Sequence, residues 1–213
     1  SGDFDGDGTT DLALFRPSTG FWAVKSITRD YFGTQGDFPV PGDYDGDGVC
    51  DLAVFRSDLG LWAVKGVTRA YFGTASDRPV PFYSLGRSES KDIAIFRSGS
   101  GLWAVRGVTR EYFGSPGDAP IITNVDSTAE VRGIFRDDSG LWALANGSRT
   151  YFGTTDDNPV PGNYGVLPAD VGIFRSASGL WAIQGETRVY FGTVGDIPVT
   201  GLAINPSSAA TGN

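Results

Sequence analysis

Residues 43–51 read Asp-Tyr-Asp-Gly-Asp-Gly-Val-Cys-Asp, and residues 3–11 read Asp-Phe-Asp-Gly-Asp-Gly-Thr-Thr-Asp. Both stretches follow the pattern D-x-D-G-D-G-x-x-D, and an apolar run comes directly after each of them. Four carboxylates so close together repel one another unless a cation lies among them. Because the whole pattern occurs twice in register, it indicates one kind of loop in a repeated structural unit.

The spacing of oxygen donors in these two loops suits a hard divalent cation such as calcium. Carboxylates stand at loop positions one, three, five and nine, position seven offers a backbone carbonyl, and glycine at position six permits a sharp bend. We therefore predict two Ca²⁺ sites. Their ligands are Asp3, Asp5, Asp7, the Thr9 carbonyl and Asp11 in one loop, and Asp43, Asp45, Asp47, the Val49 carbonyl and Asp51 in the other. The alternative is a solvated acidic turn, because Asp-Gly is common turn chemistry.

Five tryptophans mark five repeats along the chain. A Phe-Arg pair precedes each tryptophan, a Tyr-Phe-Gly follows it, and an Asp two residues before a proline comes next. The tryptophans are Trp22, Trp62, Trp103, Trp142 and Trp181. The spacing from Phe to Tyr and from Tyr to Pro is the same in every copy, and only the interval that contains the acidic loop varies in length. A fixed frame of strands therefore repeats around one variable loop.

Each repeat contains three apolar runs separated by turn residues, and these predict strands. In the second repeat they are 51–56, 61–65 and 68–73, and a fourth short strand at 79–81 leads into the next loop. The prolines of this fourth strand predict an edge position. Side-chain alternation makes both faces of the sheet apolar, so neighbouring sheets must cover them. We predict an all-β fold, a five-bladed β-propeller of four-stranded antiparallel blades; an open β-solenoid would need polar end caps, which are not evident.

The first and last repeats predict how the propeller closes. The first repeat lacks the Pro-Val-Pro strand before its loop, and the last repeat ends with a spare copy of that strand at 197–201. We predict closure by pairing of the N- and C-terminal segments, which gives a single domain over 1–204 and a flexible tail over 205–213. The alternative is donation of the spare strand to another copy of the chain, which produces head-to-tail polymers.

Composition excludes several functions. The net charge of −8 argues against nucleic acid or an anionic membrane as the main partner. No apolar run is long enough to insert into a bilayer. The single cysteine, Cys50, leaves no internal disulfide. Histidine is absent, which removes Ser-His-Asp and Cys-His catalysis and imidazole-bound zinc, so we expect no enzymatic activity. Methionine is absent too, and we expect a processed or excised domain.

The unit P-V-P-G-D-Y-D-G-D-G-x-x-D-L-A-V-F-R followed by G-x-W resembles the FG-GAP/VCBS repeats of bacterial extracellular proteins, which are related to integrin α-chain propellers. The resemblance covers residues 1–201 and is most specific in the first two repeats. It implies propeller blades with calcium in the loop that joins the first two strands of a blade, and it implies secretion or display at the cell surface. The loops at 82–92, 123–132 and 162–170 depart from the pattern, so we expect two calcium sites rather than five.

Two further repeated residue types have open interpretations. The tryptophans are either stacking platforms for sugars or packing residues between blades. The repeated arginines, of which Arg16 and Arg29 are the first copies, either bind acidic sugars or pair with the Asp37-type residues between blades.

We predict an extracellular, calcium-stabilised binding or adhesion module that recognises a glycan or a surface protein without catalysis. One alternative is a structural subunit of an extracellular filament or surface layer, assembled by terminal-strand donation. Another is a non-catalytic appendage of a secreted hydrolase.

Overall fold

A computed structural model describes residues 3–7, 11, 13–24, 26–83, 90–126, 129–161, 171–185, 187–190 and 198. These residues form nineteen β-strands in five antiparallel sheets, and none of them is helical. The first sheet contains β1 (Ala13–Arg16), β2 (Phe21–Val24) and β3 (Thr28–Tyr31). The second contains β4 (Phe38–Pro39), β5 (Ala53–Arg56), β6 (Leu61–Val64) and β7 (Thr68–Tyr71). The third contains β8 (Asp77–Pro79), β9 (Ala94–Arg97), β10 (Leu102–Val105) and β11 (Thr109–Tyr112).

Each of the last two sheets also contains four strands that are consecutive along the chain. The fourth contains β12 (Ala119–Asp126), β13 (Ala129–Arg136), β14 (Leu141–Leu144) and β15 (Arg149–Tyr151). The fifth contains β16 (Asp157–Pro159), β17 (Gly172–Arg175), β18 (Leu180–Ile183) and β19 (Thr187–Tyr190). The prediction of an all-β protein made of five antiparallel propeller blades is confirmed, with three rather than four described strands in the first blade.

The chain divides into two compact units. The first three sheets belong to the unit that ends at Pro116, and the fourth and fifth sheets belong to the unit that begins at Gly117. The predicted pairing of the terminal segments and the predicted tail at 205–213 lie outside the described residues, so closure and the single domain over 1–204 stay predictions.

The proline-containing strand lies at the edge of its sheet, as its sequence predicts. In the third sheet the strand order is β11-β10-β9-β8, with β8 outermost on one side. The strand begins earlier than the prolines suggest, because Asp77 pairs directly with Arg97 on β9. Val80 then continues the contact by donating its N–H to the Ala94 carbonyl at 2.8 Å.

The hairpin turn between β5 and β6 requires glycine at one position. Gly60 has a φ of +61°, and a Cβ on it would lie 2.4 Å from the carbonyl oxygen of Gly73. That close approach lets the Gly60 carbonyl accept a hydrogen bond of 2.8 Å from the N–H of Phe72. The turn thereby fixes the end of β7 against the start of β6.

The core of the first unit lies between its sheets. Phe55 and Trp62 are fully buried, and they cluster with Ile95 and Ala104 of the third sheet. In the same way Trp22 of the first sheet packs with residues of the second sheet. The Phe–Trp faces of the first and second sheets are therefore covered by the opposite face of the next sheet.

Tryptophan burial decides between the two interpretations of this residue. Trp22, Trp62, Trp103 and Trp142 are at most 3% exposed, and Trp181 is half-buried. Each of the four buried indoles donates its Nε1–H to the carbonyl of the Phe in the following Tyr-Phe-Gly, at 2.8–3.0 Å. The interpretation of these four as sugar-stacking platforms is therefore wrong, and packing between blades is confirmed for Trp22 and Trp62, which cluster with the next sheet.

Among the described residues no helix has the length and apolarity that a membrane span requires.

Candidate functional site

The second acidic loop is folded around the carboxylate of Asp43. This residue is nearly buried, and its two oxygens accept hydrogen bonds from the N–H groups of Gly46 at 2.6 Å and Gly48 at 3.0 Å. At the other end of the loop, Asp51 accepts a hydrogen bond from the N–H of Tyr44 at 2.9 Å. These bonds hold the first and last carboxylates of the loop in place.

Three carboxylates of this loop converge. Asp43, Asp45 and Asp47 each offer an oxygen, and these atoms lie within 4.8 Å of one another. Burial raises the pKa of Asp51 above its usual range, and the negative charges of the other three raise it further. The donor set consists of oxygens only, which is what calcium prefers, and a divalent cation would remove the mutual repulsion. The residues therefore fit calcium by donor chemistry and convergence.

The first acidic loop repeats the hydrogen bonds of the second. Asp3 accepts a bond of 2.6 Å from the Gly6 N–H, and Asp11 accepts one of 2.7 Å from the Phe4 N–H. Here the three carboxylates whose oxygens lie within 4.8 Å of one another are Asp3, Asp5 and Asp11.

The two converging trios therefore differ in composition. Asp7 is outside the first trio and Asp51 is outside the second. Val49 contributes its N–H to the Asp47 carboxylate at 2.8 Å, and Thr9 lies outside the described residues. The Thr9 and Val49 carbonyls therefore stay predicted ligands.

Hydrogen bonds connect successive loops of the first unit. The N–H of Cys50 donates to the Asp3 carbonyl at 2.6 Å, and the N–H of Lys91 donates to the Asp43 carbonyl at 2.6 Å. Cys50 and Lys91 occupy the same loop position, directly before the last Asp. The third loop is therefore hydrogen-bonded to the second through Lys91, whose side chain is positively charged. Burial raises the pKa of the Cys50 thiol to about 12, so the thiol stays protonated at neutral pH.

Four Asp–Arg pairs form a second repeated polar feature. They are Asp37–Arg56, Asp77–Arg97, Asp118–Arg136 and Asp157–Arg175. In each pair the guanidinium binds both carboxylate oxygens at 2.6–2.9 Å. The hydrogen bond to the carboxylate raises the pKa of each arginine above its usual value.

The pairing interpretation is confirmed for these four later copies of Arg16, but the place between blades is wrong, and the copies of Arg29 do not pair with these aspartates among the described residues. Asp77 and Arg97 are opposite each other on neighbouring strands of one sheet, and so are Asp157 and Arg175. The aspartates are buried whereas about a third of each arginine side chain is exposed. These pairs therefore stabilise single blades, and their carboxylates do not face solvent.

Each of the five tyrosines of Tyr-Phe-Gly is exposed, which sequence reasoning missed. Tyr31, Tyr71, Tyr112, Tyr151 and Tyr190 are 67–75% exposed. In the second sheet Tyr71 lies opposite Leu61, which in turn lies opposite Arg56. Strand alternation places the tyrosine on the face opposite the buried tryptophan, but it does not reveal the exposure, because that face of the sheet is apolar and covered as well.

An arginine stands two residues before each of these tyrosines, on the same face of the strand. These arginines are Arg29, Arg69, Arg110, Arg149 and Arg188. All five are exposed, and none of them forms an ion pair or side-chain hydrogen bond with the described part of the chain. We use the name outer Tyr/Arg surface for the exposed tyrosine and arginine of each blade, taken blade by blade.

Comparisons of the chain with protein-family models, curated proteins and solved structures find no match in any of the three.

Proposed function

We propose that this chain is an extracellular, calcium-stabilised β-propeller module of FG-GAP/VCBS type that binds a glycan or a surface protein and has no catalytic activity. The observation that carries this proposal is the outer Tyr/Arg surface. Tyrosine and arginine are the residue types enriched at binding surfaces, and here they are exposed and repeated in every blade.

Neighbouring positions strengthen the case for a surface role. The residue directly before each tyrosine differs in all five repeats, being Asp30, Ala70, Glu111, Thr150 or Val189. The copies have therefore diverged at one position of this strand while the tyrosine and the arginine remain the same. Because the exposed tyrosines contribute little to packing, a shared binding role accounts for their repetition better than stability does.

Repetition itself suits a binding module. Several equivalent contacts on one protein raise the avidity for a ligand that presents the same group many times, without any new kind of contact. Polysaccharides and arrays of surface proteins present groups in this way. The proposed partner is therefore extended or clustered.

The calcium loops supply stability rather than chemistry in this proposal. Asp43 and Asp3 lie in loops that hydrogen-bond to the next loop of the first unit through their carbonyls. A cation in either loop would therefore tie that loop's carboxylates together at a place where two repeats meet. Loops that depend on calcium are filled where calcium is plentiful, which supports an extracellular location.

The test is binding of the wild-type chain and of a variant with Tyr31→Ala, Tyr71→Ala and Tyr112→Ala to a glycan array and to a panel of extracellular proteins. We expect wild-type binding that the triple variant loses. The matched control replaces Leu59 and Val108, which are exposed apolar residues outside the surface, with Ala. Equal binding by wild type, variant and control would contradict the proposal.

A second candidate function is a subunit of an extracellular filament or surface layer. The first sheet has three strands among the described residues, and β1 is at its edge. An edge strand accepts an added strand from another chain through main-chain hydrogen bonds. Light scattering during size-exclusion chromatography across a dilution series tests this: persistent large assemblies favour the filament, and a monomer at every concentration rules it out.

A further inference from the structure

A groove of about 410 Å³ lies in the first unit, between chain segment 71–77 and the strands β9–β11. Its walls include Tyr71, Thr74, Leu102 and Arg110. Its volume is in the range of small-molecule sites, which bind by apolar contact and a few placed polar groups. The groove therefore has room for a single sugar residue of a longer chain.

The base of the groove is a fixed and neutral ion pair. Asp77 accepts hydrogen bonds from Arg97 Nε at 2.6 Å and from the Thr74 backbone N–H at 2.9 Å. The Thr74 hydroxyl donates to the same carboxylate at 3.0 Å. Because these donors satisfy the buried carboxylate, the pair presents no unpaired negative charge to a ligand.

Arg110 is the polar group in the groove that remains available. It is exposed, it lies opposite the small Ala104 on the neighbouring strand, and it forms no ion pair with any described residue. A free guanidinium binds a carboxylate through two parallel hydrogen bonds. The net charge of −8 opposes a polyanion over the protein as a whole, so any attraction of an anionic group depends on this exposed cation in the groove.

The remaining walls are apolar. Leu102 comes from the third sheet and Tyr71 from the end of the second, whereas Ile95 and Ala104 belong to the buried core and offer a ligand little surface. Apolar walls beside one cation match a ring that has hydrophobic C–H groups on its face and a carboxylate at its edge. We propose that this groove binds a uronic acid residue of an anionic polysaccharide, a proposal that rests on the binding function proposed above.

Repetition favours a polysaccharide over an acidic peptide. The same residue types occur at Tyr31, Leu61 and Arg69 in the first unit and at Tyr151, Leu180 and Arg188 in the second unit. A polyuronate presents one carboxylate on each sugar at regular intervals, so that a single chain can engage several such sites. Clustered glutamates would offer the charge without the ring.

Calorimetry with an oligogalacturonate of a few sugars tests the proposal. The wild type should bind it, and a variant with Arg69→Gln, Arg110→Gln and Arg188→Gln should bind at least about tenfold more weakly, since each charge-assisted hydrogen bond is lost. The methyl-esterified oligomer and an oligoglutamate of the same charge should both bind more weakly than the acid. Equal binding of oligoglutamate would overturn the assignment to a sugar.

Hydrogen exchange locates the site. Oligogalacturonate should slow exchange in peptides that cover 71–77 and 102–112, and Arg110→Gln should abolish this protection. Arg106→Gln, which removes the same charge from an exposed turn residue of the same sheet, should leave it intact. Equal loss in both variants would show non-specific charge attraction and would overturn the inference. Binding of other glycans or proteins through the tyrosines without oligogalacturonate binding would overturn this inference alone and leave the proposed function standing.

Discussion

Two aromatic residues occur once in every repeat, yet they have opposite environments. Trp62 is completely buried, whereas Tyr71, nine residues later, is 71% exposed. Trp62 contacts the ring of Phe55 with a centroid distance of 5.1 Å and donates its N–H to the Phe72 carbonyl. Tyr71 ends the outermost strand of the same sheet, opposite Leu61.

This contrast shows that periodicity alone does not distinguish core from surface. In the first unit, the tryptophans of the first and second sheets fill the space against the next sheet. The tyrosine repeats although its ring is mostly in water. We propose that the tryptophans, the Asp–Arg pairs and the acidic loops stabilise the protein and that the outer Tyr/Arg surface binds its partner. The following predictions separate these two groups, beginning with the largest expected effect.

Removal of a core tryptophan should have the largest effect. Trp62→Ala should lower the free energy of unfolding by about 3–5 kcal/mol, because it deletes a fully buried ring and leaves a cavity. Tyr71→Ala should lower it by less than about 0.5 kcal/mol, which is typical of an exposed position. Denaturant unfolding followed by fluorescence measures both. Equal losses for the two variants would remove the distinction on which the assignment depends.

Removal of calcium should have the next largest effect. A ligand that binds only the folded state at one hundred times its dissociation constant stabilises it by about 2.7 kcal/mol, so excess chelator should lower the melting temperature. Asp45→Ala should reduce the calcium count by one site, measured by atomic emission after dialysis. Asp58→Ala, which removes an exposed carboxylate outside the loops, should leave the count unchanged.

A calcium count that is the same in Asp45→Ala and wild type would mean that this loop is an ordinary acidic turn. A melting temperature that does not respond to chelator would contradict the structural role of calcium in both loops.

Loss of an Asp–Arg pair should have a smaller effect. Asp77→Ala should cost about 1–3 kcal/mol, because it leaves Arg97 and the Thr74 N–H without their acceptor, and the partial exposure of Arg97 reduces the penalty. Thermal unfolding of Asp77→Ala and of Arg69→Gln, which changes an exposed arginine that has no ion-pair partner among the described residues, measures the difference. If Asp77→Ala and Arg69→Gln were equally stable, the Asp77–Arg97 pair would contribute nothing to the stability of the fold.

The pH dependence of this pair has a defined sign. The folded-state pKa of Arg97 is raised by its hydrogen bond to Asp77. The contribution of the charged Arg97 side chain to the free energy of unfolding is therefore fully present below the unfolded-state pKa. It is lost only as the pH rises through the folded-state pKa, which lies above the ordinary range of arginine. The stability difference between wild type and Arg97→Gln should stay constant from neutral pH to about pH 10. A decline of this difference within that range would contradict the assignment to the guanidinium.

Much of the fold is predictable from the sequence for a physical reason. Alternation around Phe55 and Trp62 places apolar groups on both faces of each sheet, and such sheets must stack. Proline in the fourth strand lacks the N–H of an interior strand, so its edge position is also predictable. The partnership of Asp77 with Arg97 follows from repeated opposite charges, but its location does not, because the strand starts before the prolines.

The site is less predictable, since it depends on contacts between distant residues. The ligand spacing of the two acidic loops is identical, yet Asp11 joins the first trio whereas Asp47 joins the second. The bond from Cys50 to Asp3 connects loops of different repeats, and no local pattern contains it. The exposure of Tyr71 depends on where the covering sheet ends, which the alternation of one strand does not reveal.

The most direct test measures stability and binding together in the variant with Tyr31→Ala, Tyr71→Ala and Tyr112→Ala. The account predicts a free energy of unfolding within about 1.5 kcal/mol of wild type, since each exposed position contributes little, together with loss of binding to the ligand that the wild type captures. Retained binding, or unfolding as severe as that caused by Trp62→Ala, would contradict the claim that the buried repeat residues stabilise this protein and the exposed ones bind its partner.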